Sequence, residues 1–244
     1  MAKKKSTRRP PPELQPGPDG AIKSLMEVVS RLRAPDGCPW DREQDHQSLR
    51  WHAVEEVYEL LDAIEAGDDH EMVEELGDLL LQIVFQCQLG KERGVFDLEE
   101  VTGRIVKKLI HRHPHVFADV DAINVDQVLT NWEKLKRAEK EGTRHERPSA
   151  LDGIPRRLPA LLRAEKLLKK ARRAKLIEPA PARPLTKKKI SDTLFQLAES
   201  AQSQGWSAES LLREEVLRRE KRLRKLESAA AKAQKDTPAP TAGK

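Results

Sequence analysis

Two acidic motifs flank a turn signal in the first half of this chain. Glu55, Glu56 and Glu59 precede Gly67-Asp68-Asp69, and Glu75 and Asp78 follow it. Residues three or four apart share one face of a helix, so Glu56 pairs with Glu59 and Glu75 with Asp78. Glu59 and Glu75 each lie eight residues from Gly67, about 12 Å along a helix. A helical hairpin turning at Gly67 therefore sets the two pairs opposite each other at one height. Four carboxylates between helices about 8–10 Å apart repel one another unless a cation sits among them. Oxygen donors without Cys or His favour magnesium or manganese over zinc or iron. The competing reading is a solvated acidic face. Apolar stripes on the same helices weigh against it: Val54, Val57, Leu60, Leu61 and Ile64, then Val73, Leu76, Leu79, Leu80, Ile83 and Val84, recur at helical spacing. The acidic face is thus expected to border the core.

The elements that must position these groups read as helices. One begins at Asp19 with Ile22, Leu25, Met26, Val29 and Leu32 on one face, and Ala34-Pro35-Asp36-Gly37 ends it. A loop from Cys38 to Ser48 follows, and its Trp40 either plugs the end of a bundle or holds a planar ligand. The acidic helices span about 49–66 and 68–89, the second opened by a capping box of Asp68 and Glu71. Asp97 and Glu100 repeat that signature before a fourth helix, which ends ahead of Pro114. Lys108 and Arg112 share a face of it, either a solvated basic face or a clamp for phosphate. A helix over 126–141 stacks Trp132 and Lys136 one turn apart, which suits a core residue or the pairing of a base with a phosphate. Another helix spans about 158–175, and Pro179 to Pro184 reads as a linker.

Charged residues make up 35% of the chain and aromatics 4%, a balance that suits helices and disfavours an all-β sandwich. No apolar run reaches the length of a membrane span and no signal peptide opens the chain, so a soluble, cytoplasmic protein without membrane contact is expected. Cys38 and Cys87 make neither a disulfide framework nor a zinc motif. The net charge of +5 is unevenly spread: residues 1–9 carry +5, residues 151–244 carry +12, and residues 10–150 carry −12. The organised chemistry thus lies in the acidic part, and nucleic acid is a disfavoured partner.

Taken together, Cys38-Pro39-Trp40-Asp41, Gln44 through Leu49, the Glu-Glu-x-x-Glu of 55–59, the Glu-x-x-Asp of 75–78 and Lys108 through Phe117 resemble the MazG family of nucleoside triphosphate pyrophosphohydrolases. The resemblance implies an all-α fold, a four-helix bundle that converts a nucleoside triphosphate and water to the monophosphate and pyrophosphate with Mg2+, for which Mn2+ can substitute. It implies metal ligation by Glu56, Glu59, Glu75 and Asp78. Glu55, Glu56 and Glu59 are the implied catalytic acids, Glu55 binding or orienting water. Lys108 and Arg112 are implied to face the phosphates, and Trp132 and Lys136 to lie near the nucleotide. A homodimer is implied as well.

The family's longer members carry two such modules, and a weak internal repeat fits that pattern. Ile190 to Gln196 lines up with Leu76 to Gln82, and Arg218 and Arg222 stand where Lys108 and Arg112 do. Lys189 replaces Glu75 in the second copy, and no Glu-Glu-x-x-Glu precedes it, so that copy builds no second site. The expected division is a disordered basic arm at 1–18, a catalytic module at 19–118, a helical extension at 119–175, a degenerate module at 176–228 and a disordered tail at 229–244. A di-iron bundle needs Glu-x-x-His on two helices, and only Glu43-x-x-His46 fits, in a loop. The remaining alternative is a catalytically weak scaffold binding nucleic acid or a protein through the basic C-terminal half.

Overall fold

The computed structural model describes residues 20–118, 124–178 and 185–236; the basic arm, the linker from Pro179 to Pro184 and residues 237–244 lie outside them. Regular structure among these residues is helical throughout. The helices are α1 (Ala21–Leu32), α2 (Pro39–Glu43), α3 (His52–Ala66), α4 (Asp69–Glu92), α5 (Leu98–Arg112), α6 (Pro114–Phe117), α7 (Val125–Ala138), α8 (Ala160–Arg173), α9 (Lys187–Ser203) and α10 (Ala208–Asp236), with a 3-10 turn at Ser48–Arg50. No described helix is long and apolar enough to cross a membrane. The chain divides into two compact units at Val125 and Asp126.

The first unit is organised on α4, which packs against α3, α1 and α5. Gly67 makes the sharp turn between α3 and α4 at φ 68°, a left-handed conformation that a Cβ would strain. Asp68 then caps α4, its side chain accepting the N–H groups of His70 and Glu71. The expected capping box is one-sided, because the N–H of Asp68 is already bonded to the Ala63 carbonyl at 3.1 Å. Asp97 likewise accepts the N–H of Glu100 at 2.9 Å, while the Glu100 carboxylate pairs with Arg104 instead of turning back.

Val29, Leu49, Val84, Phe85, Cys87, Leu89 and Leu98 form the core, beside the C-terminal half of α4. Gly90 lets Phe96 lie against the helix, since a Cβ there would stand 2.6 Å from its ring. Arg33 fastens the ends of α1 and α4 to the loop between α1 and α3. It grips Glu92 through two bonds of 2.8 and 2.7 Å, donates to the carbonyls of Asp41 and Gln44, and lies over the Phe85 ring.

The apolar stripes of the acidic helices border this core only in part: Val84 belongs to it and Leu80 packs against it, whereas Val54, Val57, Leu61, Ile64, Val73, Leu76 and Ile83 are exposed. Among the described residues α3 has its only substantial helix contact with α4, so nothing in the unit covers its outer face.

In the second unit α8 and α10 run parallel. The first N–H of α8, on Ala160, donates to both carboxylate oxygens of Glu209 at 2.9 Å, and Leu167 and Ala171 share a core with Leu151, Val216 and Leu223. A boundary at 175/176 would cut through that core, so the expected extension and the expected degenerate module fold as one body. The expected tail is also corrected, because α10 continues past residue 228 to Asp236.

Candidate active site

The tight turn at Gly67 folds α4 back along α3 and brings their acidic faces together. Glu56, Glu75 and Asp78 each offer a carboxylate oxygen, and these atoms lie within 4.8 Å of one another. Burial, then repulsion from Asp78 and Glu59, pushes the Glu56 carboxyl above its ordinary range. Desolvation also raises Glu75, with Glu59, Asp78 and Glu56 adding to it in that order. Glu59 is thus part of the same electrostatic cluster, though outside the closest trio. No Lys or Arg forms an ion pair with any of these four among the described residues.

Gln82 completes the group. It follows Asp78 by one helical turn and is only 9% exposed. Its Nε2 donates to Glu56 Oε1 at 3.3 Å, and its own Oε1 is buried without a partner. A buried amide oxygen left unpaired costs about 1–3 kcal/mol. Carboxylates held together against their repulsion, all oxygen donors, beside an orphaned oxygen acceptor, fit a hydrated hard divalent cation such as Mg2+. A second group of acceptor side chains, His70, Glu71 and Glu74, is made of exposed residues only.

Glu55 is set apart from the trio and faces His52, with 3.6 Å between Oε2 and Nδ1. Trp40 is 54% exposed and meets His52 edge-on, its ring centroid 6.0 Å away. An exposed ring does not plug the bundle, so that alternative for Trp40 is set aside. Lys108 is exposed and makes no hydrogen bond or ion pair among the described residues, whereas Arg112, one turn on, is buried at the end of α5. In the second unit Lys136 Nζ lies 4.4 Å from the centroid of the Trp132 ring and 4.0 Å from Glu133. The expected stacking of Trp132 and Lys136 is therefore present. Lys170 joins them, its ammonium donating to the Ala150 carbonyl at 3.1 Å and its pKa lowered first by burial. An open cavity of about 740 Å³ lies around the α4–α5 turn and is lined by Lys91, Phe96, Asp97 and Arg104; the carboxylates are not part of its lining.

Sequence reasoning missed Gln82. The signal was available in the spacing of Glu75, Asp78 and Gln82, which puts all three on one face of α4.

Comparison with known proteins shows what the chain is similar to. Residues 44–117 match the family model of the MazG nucleotide pyrophosphohydrolase domain. The nucleoside triphosphate pyrophosphohydrolase of Escherichia coli K12 is 47% identical over 151 residues, covering 61% of this chain and 56% of that enzyme. The nucleoside triphosphate pyrophosphohydrolase/pyrophosphatase MazG of Thermotoga maritima is 41% identical over 150 residues, covering 62% and 56%. A 26.1 kDa protein encoded in the blaB 3' region of Streptomyces cacaoi is 39% identical over 208 residues, 82% of each chain. The chain spans little more than half the length of the two named enzymes.

Proposed function

The chain belongs to the MazG family, and from that membership we propose that it hydrolyses nucleoside triphosphates to the monophosphate and pyrophosphate at the α3–α4 hairpin. The observation that carries this reading is the convergence of Glu56, Glu59, Glu75 and Asp78 without a protein cation among them. Enzymes of the family are metal-dependent, and a hard-oxygen site of this kind suits Mg2+, with Mn2+ as substitute.

A triphosphate is a polyanion, and the acidic part of the chain repels it unless charge is neutralised. When bound, the cation supplies Lewis acidity toward the phosphoryl oxygens and lowers the pKa of coordinated water. The protein's own groups do the rest. Glu56, Glu59, Glu75 and Asp78 would hold the ion, and Glu55, next to Glu56 in sequence and paired with His52, orients water and accepts its proton. The water oxygen forms a new bond to phosphorus while the bond to the bridging oxygen between the α- and β-phosphoryl groups breaks. Lys108 and Arg112 stabilise the charge that builds on the departing pyrophosphate. Trp132 and Lys136, associated as ring and cation within the second unit, have the chemistry for contact with a base and a phosphate.

The exposed stripe of Val54, Val57, Leu61 and Ile64 on α3, spaced three and four residues apart, supports a homodimer in which a second copy covers it. Sizing with light scattering is expected to give twice the 27.7 kDa chain mass, and a monomer would count against this part. The alternative of a nucleic-acid scaffold acting through the basic half leaves the converging carboxylates unexplained.

The test of the activity is product analysis with each common NTP and dNTP plus Mg2+, alongside Glu59→Gln. Monophosphate and pyrophosphate are expected in equal amounts, with the variant slower by about 10²–10⁴-fold. Diphosphate and orthophosphate as products, or undiminished activity in the variant, would overturn the reading.

A further inference from the structure

Gln82 stands in the hairpin with no assigned role, and its two amide atoms have different fates. The orientation of the amide is fixed by chemistry, because a carboxylate accepts hydrogen bonds and only the NH2 end can face Glu56. That leaves the carbonyl oxygen as the atom turned elsewhere, buried and without a donor. Every other side chain grouped there, Glu56, Glu59, Glu75 and Asp78, is an acceptor when ionised. No neighbouring group in the cluster therefore supplies the missing hydrogen, and a hydrated cation brings O–H donors to that place.

We propose that Gln82 is a positioning residue of the metal site: its N–H holds the Glu56 carboxylate in place for the ion, and its buried Oε1 accepts a hydrogen bond from a water of the ion's hydration shell. This rests on the metal-dependent reading given above. It also accounts for why the α4 face carrying Glu75 and Asp78 continues with an amide. A fifth carboxylate would deepen the repulsion, and an apolar side chain would give neither bond. Outer-sphere partners of this type govern metal affinity as well as ligand orientation.

The experiment measures Mn2+ binding by the loss of its free-ion EPR signal, and melting temperature with and without Mn2+, in the wild type, Gln82→Met, Gln82→Glu and Glu75→Gln. Wild type is expected to bind Mn2+ and Glu75→Gln to bind it far more weakly; if wild type binds none, the metal reading itself falls. Gln82→Met is expected to bind Mn2+ about tenfold more weakly, while its metal-free melting temperature stays at or above that of wild type because the orphaned oxygen is gone. Gln82→Glu is expected to melt lower without metal and to recover more on Mn2+ addition than wild type does. If wild type binds Mn2+ but Gln82→Met retains full affinity, or if Gln82→Met only lowers the metal-free melting temperature, Gln82 is a packing residue and the proposal is overturned. It is overturned equally if Mn2+ raises the melting temperatures of Gln82→Glu and wild type by the same amount.

Discussion

Two regions of this chain, the α3–α4 hairpin in the first unit and the α8–α10 pair in the second, treat partly buried acid in opposite ways. In the second, Glu220 is held between two guanidinium groups, with Arg163 at 2.5 Å and Arg224 at 2.7 Å, and Arg224 reaches on to Asp152 at 2.7 Å. Each carboxylate there is matched by a cation of the same chain, and the network ties α8, α10 and the loop before α8 together. In the first, the carboxylates of the α3–α4 hairpin meet one another instead, and burial with mutual repulsion raises two of them. A matched acid serves the fold, whereas an unmatched cluster costs stability and is retained for something that binds it.

That contrast can be broken at either end. The largest effect is expected from Asp78→Asn, which removes a ligand charge from the cluster and should lower pyrophosphate release by about 10²–10⁴-fold with the helical circular dichroism unchanged. Activity near the wild-type level would make the cluster ornamental. Next comes Arg163→Met in the matched network, which takes the more buried of its two guanidinium groups from Glu220 and leaves it Arg224 alone. Denaturant unfolding is expected to show a loss of about 1–3 kcal/mol. Adding Glu220→Leu to that variant should restore part of it, since no half-matched carboxylate then remains.

A smaller effect with a pH signature separates the two regions further. A carboxyl whose folded pKa is raised favours the folded state while protonated, and that contribution is lost as pH rises through the folded value. Metal-free protein therefore carries a penalty at neutral pH from Glu56 and Glu75. Glu75→Gln should raise the metal-free melting temperature at pH 7, with the gain shrinking as pH falls toward the ordinary glutamate value of 4.5. In the presence of Mg2+ the order should reverse, because the wild type alone keeps all four ligands. The smallest change belongs to Arg218→Ala, which breaks an ion pair with Glu215 in which Arg218 is 74% exposed. Its effect should be close to the limit of detection and should vanish in high salt.

The helices of both units were legible in the chain because local signals specify them. Apolar spacing, Gly67, Asp68, Asp97 and Pro114 mark the starts and stops within a few residues of where they fall. The opposition of Glu56 to Glu75 and Asp78 was legible too, since equal distances from one turn fix equal heights in a hairpin. Three things were decided only by tertiary structure. An apolar stripe states that a surface wants cover, not what covers it, so Val57 and Leu61 read as core neighbours and stand exposed. The union of α8 with α10 depends on contacts between residues about fifty apart, such as Ala160 with Glu209, which no local window contains. Gln82 could be placed on the acidic face by spacing alone, but its burial, its bond to Glu56 and its orphaned oxygen appear only once α3 lies against α4.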